Sequence, residues 1–116
     1  MKLDILVFGA HPDDVELGCG GTIIKAVQEG RKVGIIDLTK GELGTRGDAE
    51  KRIEESVLAG KIMGVSMREN MNFKDGFFKD DEQHKMALIK KIRQYRPKIV
   101  ITNAFSDLQS NFRMHL

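Results

Sequence analysis

Residues 11–14 read His-Pro-Asp-Asp, and their side chains could carry out metal chemistry. Neutral imidazole and carboxylate are both good Zn2+ ligands. Adjacent side chains in a loop can diverge. One carboxylate could then bind a metal while its neighbour faces water held by that metal. The metal would lower the water's pKa, and the free carboxylate would accept its proton. A plainer role is also open. Asp13 or Asp14 could cap a following helix, with His11 an incidental loop residue. The two roles can coexist.

The surrounding pattern says what positions these residues. Residues 3–9 (LDILVFG) are apolar and β-prone, as in a buried strand. Residues 15–29 are helix-like, with Leu17, Gly20, Gly21, Ile24 and Val27 on the expected inner face and Gly30 ending the run. Residues 32–38 (KVGIIDL) read as a second strand, followed by the glycine-rich loop TKGELGTRGD. Asp48 is an expected N-cap for a helix whose apolar residues are Ile53, Val57, Leu58, Ile62 and Met63, ending near Gly64. A short strand follows at 69–73, then the loop DGFFKDD. A third helix spans 81–95, with Met86, Ile89 and Ile92 inward and Pro97 stopping it, and a fourth strand reads KIVITNA at 98–104. Alternating strands and helices predict an α/β fold with a mainly parallel sheet. In such sheets ligands bind beyond the carboxyl ends of the strands. His11, Asp13 and Asp14 are expected at that end of the first strand.

A chain of 116 residues predicts one domain. A net charge of +2, with Lys and Arg interspersed among Asp and Glu, gives no footprint for nucleic acid. Cys19 is the sole cysteine, so neither an intrachain disulfide nor a cysteine-rich zinc site can form. It is expected to be a small packing residue. No apolar run approaches the roughly 20 residues that span a bilayer. The N-terminus lacks a signal-peptide pattern, and the expected location is the cytoplasm.

Gly18-Cys19-Gly20-Gly21 raises a nucleotide site as an alternative. Fingerprint glycines should directly follow the strand, where pyrophosphate meets the helix N-terminus. Asp13 and Asp14 hold that place, and they would repel phosphate. Close packing of the helix on the sheet is the preferred account of the glycines. Asp37 could imitate a ribose-binding acid, though without the glycine loop.

The runs AHPDDVELGCGGTI, IDLTKGELGTRG, ENMNFKDGFF and RPKIVITNA resemble the LmbE/PIG-L family of zinc deacetylases over roughly residues 3–104. The sequence is most similar to the bacillithiol biosynthesis deacetylase type. The resemblance implies a Rossmann-like fold and Zn2+-dependent removal of acetate from an N-acetylglucosaminyl group, N-acetylglucosaminyl malate in that pathway. It implies His11 and Asp14 as zinc ligands and Asp13 as general base. Arg52 aligns with an arginine associated with substrate binding, and Glu42 and Arg46 in the preceding loop are further candidates.

The family supplies a third ligand in a segment resembling D-R-H-P-D-H after the fourth strand. Here Asp107 fits its first position, Leu108 and Gln109 depart from it, and Phe112 stands where the ligand histidine is expected. This departure predicts a truncated or frame-shifted product, residues 1–116 forming a single incomplete domain with little or no catalysis. His115 lies three residues late as a substitute ligand, and His84 is expected on the surface. The alternative function is a non-catalytic α/β module or pseudoenzyme fragment. The edge KIVIT would be uncovered, and self-association into a homo-oligomer would protect it.

Overall fold

Strands β1 (Ile5–Gly9) and β2 (Val33–Thr39) read ILVFG and VGIIDLT and are buried along their whole length. Apolar runs of this kind form strands covered on both faces. The computed structural model describes residues 1–39, 49–73 and 82–102. Within these, the strands alternate with α1 (Asp14–Gln28), α2 (Ala49–Met63), β3 (Met67–Phe73), α3 (Glu82–Tyr95) and β4 (Ile99–Thr102). The sheet is wholly parallel in the order β3-β2-β1-β4. This is the expected α/β, Rossmann-like arrangement.

Side chains alternate across a strand, so each strand feeds two cores. Leu6, Phe8, Ile36 and Leu38 point to one face, where Leu88 and Tyr95 of α3 cover them. Ile5, Val7, Val33 and Ile35 point to the other, beneath Val15, Ile23 and Ala26 of α1 and Met63 of α2. Phe8 is 1% exposed, and truncating such a ring to Ala costs about 3–5 kcal/mol. Tyr95 also anchors α3 to β3, its hydroxyl donating to Glu69 Oε1 at 2.5 Å. Burial, together with Glu69, pushes that phenol up to about 12.

The helix boundaries follow local chemistry. Gly30 (φ +87) and Gly64 (φ +81) take the left-handed conformation just past α1 and α2. Arg96 (φ +48) and Pro97 follow α3.

The inner faces of the helices differ from the sequence expectation. In α1 the face against the sheet is Val15, Cys19, Ile23 and Ala26, spaced by three and four residues, so Leu17 (81% exposed) and Ile24 fall outside that stripe; Cys19 itself leaves helical geometry (φ −148, ψ 23). A Cβ on Gly20 or Gly21 would meet nothing within 4 Å, so close packing does not account for these glycines. Close approach occurs at Gly9 instead, where a Cβ would lie 2.6 Å from Val15 Cγ2. In α2 the small residues Ser56 and Gly60 face inward with Met63, leaving Val57, Leu58 and Ile62 exposed. In α3 Leu88 and Tyr95 are buried and Ile92 packs beside them, while Met86 and Ile89 are exposed. His84 is half-buried rather than a free surface residue, its ring 4.1 Å from that of Phe73. Cys19 packs against the α1 core as expected, and burial, then Glu16, raises its thiol pKa.

The chain runs outward from β1 through β2 to β3, then returns to place β4 on the other side of β1. The strand order therefore reverses beside β1. In open α/β sheets the crevice at this reversal is where ligands bind. The His-Pro-Asp-Asp loop leaves β1 there.

Candidate metal and substrate site

The loop is closed by its own hydrogen bonds. The His11 amide donates to Asp14 Oδ2 at 2.8 Å, and the Asp14 amide donates to the His11 carbonyl at 3.1 Å. The Ala10 carbonyl accepts from both the amide and the hydroxyl of Thr39, each at 3.1 Å, tying the loop to the end of β2. Asp13 occupies the N-cap position of α1 yet makes no side-chain capping bond. The capping role considered for it is therefore not the one it takes.

Its carboxylate turns outward instead. Asp13 Oδ1 accepts from Arg52 Nη2 at 3.1 Å, with the Asp13 side chain 59% exposed and Arg52 18% exposed. Asp14 turns the other way. Its Oδ2 lies 3.2 Å from His11 Nδ1, and both side chains are partly buried. Two ligands of a tetrahedral Zn2+ at 2.0–2.1 Å sit about 3.3 Å apart. The His11–Asp14 pair thus has the donor types and spacing to hold one face of such an ion. Among the described residues no group of three His, Cys, Asp or Glu side chains could hold a metal.

A cleft of about 230 Å3 opens beside Asp13, between the start of α1 and the outer turns of α2. Pro12, Glu16, Arg52 and Glu55 contribute to its walls. The structure thus brings together His11, Asp13, Asp14 and Arg52. Glu42, Arg46, Asp48, Asp107, Phe112 and His115 lie outside the described residues.

Beneath the loop lies a group that the sequence did not announce. Arg68 of β3 has a side chain only 4% exposed. Its Nε and Nη2 donate to the two carboxylate oxygens of Asp37 at 2.8 and 3.0 Å. Nη2 also reaches Glu16 Oε1 at 2.8 Å and the Pro12 carbonyl, and Nη1 reaches the Ser56 carbonyl at 3.1 Å. Asp37 therefore faces a buried guanidinium, and the ribose-binding role considered for it is excluded by this pairing. Its carboxyl is pushed up to about 6: burial outweighs the pull of Arg68, and Glu16 and Asp14 add to the rise. The strand expected at 69–73 begins at Met67 instead, which brings Arg68 into the sheet, where a buried charge needs an acid as partner.

The PIG-L family model, GlcNAc-PI de-N-acetylase, matches residues 6–114. The chain belongs to this family. The match continues past residue 104, where the resemblance was expected to end. A similar PIG-L relative is the diacetylchitobiose deacetylase of Thermococcus kodakarensis, 32% identical over 104 residues, covering 84% of this chain and 39% of that protein. Among solved structures, the conserved protein TT1542 from Thermus thermophilus is similar with a TM-score of 0.80 and 45% identity, over 84% of this chain and 44% of that one. GalB, the 4-carboxy-2-hydroxymuconate hydratase of Pseudomonas putida KT2440, is similar with a TM-score of 0.73 and 27% identity, over 86% and 46%. The chain spans less than half the length of each. No described helix is long and apolar enough to cross a membrane.

Proposed function

We propose that this chain carries the metal-binding and proton-accepting part of an N-acetylsugar deacetylase site. The reaction would be hydrolysis of the acetamide on an N-acetylglucosaminyl conjugate. N-acetylglucosaminyl malate, the bacillithiol-type substrate, is the proposed member of that class. The observation that carries the reading is the divergence of three side chains within one four-residue stretch. His11 and Asp14 pair at 3.2 Å on one side while Asp13 faces Arg52 and the cleft on the other.

His11 and Asp14 would hold Zn2+, with a further donor completing the set. Bound there, Zn2+ supplies Lewis acidity toward the amide carbonyl and makes water a better nucleophile. Asp13 would accept a proton from the attacking water; its 59% exposure beside the cleft supports this role. Arg52 steadies the Asp13 carboxylate and offers charged donors to sugar hydroxyls in the cleft. Glu42 and Arg46 are proposed as further sugar contacts. A cytoplasmic setting suits a chain whose single cysteine needs no partner.

A second reading, a non-catalytic α/β module, rests on Phe112 at the position of the family's histidine ligand. One experiment separates the two. Zinc affinity is measured on the purified 116-residue chain, with acetate release from N-acetylglucosaminyl malate and diacetylchitobiose. The deacetylase reading expects zinc binding that weakens about 10-fold or more in Asp14→Ala, and slow acetate release abolished by Asp13→Asn. Zinc binding without any acetate release supports the second reading. Zinc affinity indifferent to both His11→Ala and Asp14→Ala would refute the site itself.

A further inference from the structure

We infer that Arg68 is a positioning residue for this site, holding the His11–Asp14 loop in fixed relation to the helix that carries Arg52. For its effect on zinc, the inference rests on the deacetylase reading above; for the loop it stands on the contacts alone. Arg68 comes from β3, 56 residues along the chain from Pro12. Its one guanidinium meets the Pro12 carbonyl, the Ser56 carbonyl, Asp37 and Glu16.

Two of these contacts sit next to the proposed chemistry. The peptide is planar, so fixing the Pro12 carbonyl fixes the plane that leads into Asp13. Ser56 lies one helical turn beyond Arg52, on the same face of α2. Both partners of the Asp13–Arg52 pair are thus tied, at short remove, to a single planar group. A guanidinium offers five donors in a rigid fork, and an ammonium cannot reproduce that geometry. The side chain is 4% exposed, so it acts through its neighbours and not on substrate. Asp37, 2% exposed, supplies the buried countercharge.

The test uses two variants of the 116-residue chain. Arg68→Lys keeps the charge and loses the fork. Asp37→Leu with Arg68→Met replaces the buried pair by apolar side chains, a change that often preserves stability. Amide hydrogen exchange is read at His11 and Asp14, whose N–H groups close the loop, and at Val7 and Ile36 in the strands. Zinc affinity is titrated in parallel. The inference expects loop exchange to quicken about 10-fold or more in both variants, with strand amides within about threefold of wild type. It also expects zinc affinity to fall by about 10-fold to 100-fold. Unchanged loop exchange in the double variant overturns it. So does an equal quickening in the strands, which would make Arg68 a general strut, and so does unchanged zinc affinity despite a loosened loop. If wild type binds no zinc but the loop contrast appears, the metal reading fails and the positioning role stands.

Discussion

Replacing Arg68 by Met should destabilise the fold strongly at pH 8 and much less at pH 5. The substitution removes five hydrogen bonds, two of them to Asp37, whose side chain is only 2% exposed. Removing one partner of a buried ion pair costs about 3–5 kcal/mol, because the other charge is left uncompensated. That cost needs Asp37 to be ionised. Burial already lifts its carboxyl to about 6 despite Arg68, from 3.8 when solvated. Without Arg68 the folded-state value climbs further, while the unfolded value stays where it was. A carboxyl raised in the folded state contributes stability that is full below the unfolded value and lost as pH rises through the folded value. At pH 5 Asp37 is mainly neutral in both folded proteins, and the unpaired-charge penalty largely vanishes. What remains is the loss of donors to the Pro12 and Ser56 carbonyls and to Glu16, about 1–3 kcal/mol. Urea unfolding followed by circular dichroism at the two pH values measures both penalties. Equal penalties at pH 5 and pH 8, or less than about 1 kcal/mol at pH 8, would show that Asp37 is not held as described.

Other outcomes follow from the same contacts. Asp37→Asn should remove a pH-dependent contribution: relative to this variant, wild type loses roughly 2 kcal/mol between pH 4 and pH 7, most of what its shift from 3.8 to about 6 is worth, as paired urea titrations would reveal. Arg52→Ala should alter stability by less than about 1 kcal/mol, since its partner Asp13 is 59% exposed; a melt as damaged as that of Arg68→Met would contradict this. Gly34→Ala should cost about 1–3 kcal/mol, because the new methyl would lie 2.5 Å from Leu3 Cδ1 and Met67 Sδ. Gly21→Ala should instead stabilise by about 0.5–1 kcal/mol, as a Cβ there meets nothing within 4 Å; a lower melting temperature would revive the close-packing account.

What the sequence disclosed and what it hid divide along a physical line. His11, Asp13 and Asp14 fall within four residues, so their candidate chemistry could be read without knowing the fold. The strand-helix alternation was equally plain, because runs such as ILVFG and VGIIDLT are mainly apolar and buried along their whole length. The inner faces of the helices were not. In α2 the residues against the sheet are Ser56, Gly60 and Met63, so counting large apolar side chains selects the wrong stripe. In α1 the buried stripe runs through the small residues Cys19 and Ala26 with Val15 and Ile23, and leaves Leu17 and Ile24 outside it. The Arg68 group was hidden for a different reason. Its partners Asp37 and Pro12 lie 31 and 56 residues away, and only the parallel pairing of β2 with β3 brings them within reach. Yet an arginine whose side chain is only 4% exposed demands a countercharge. Asp37, inside the neighbouring buried strand, meets that demand together with Glu16. The same pairing explains why two roles separate at this end of the sheet. The residues proposed to meet metal and substrate occupy the loop, where their side chains can diverge. The residue that fixes the loop sits in a strand, where the backbone ladder holds it still.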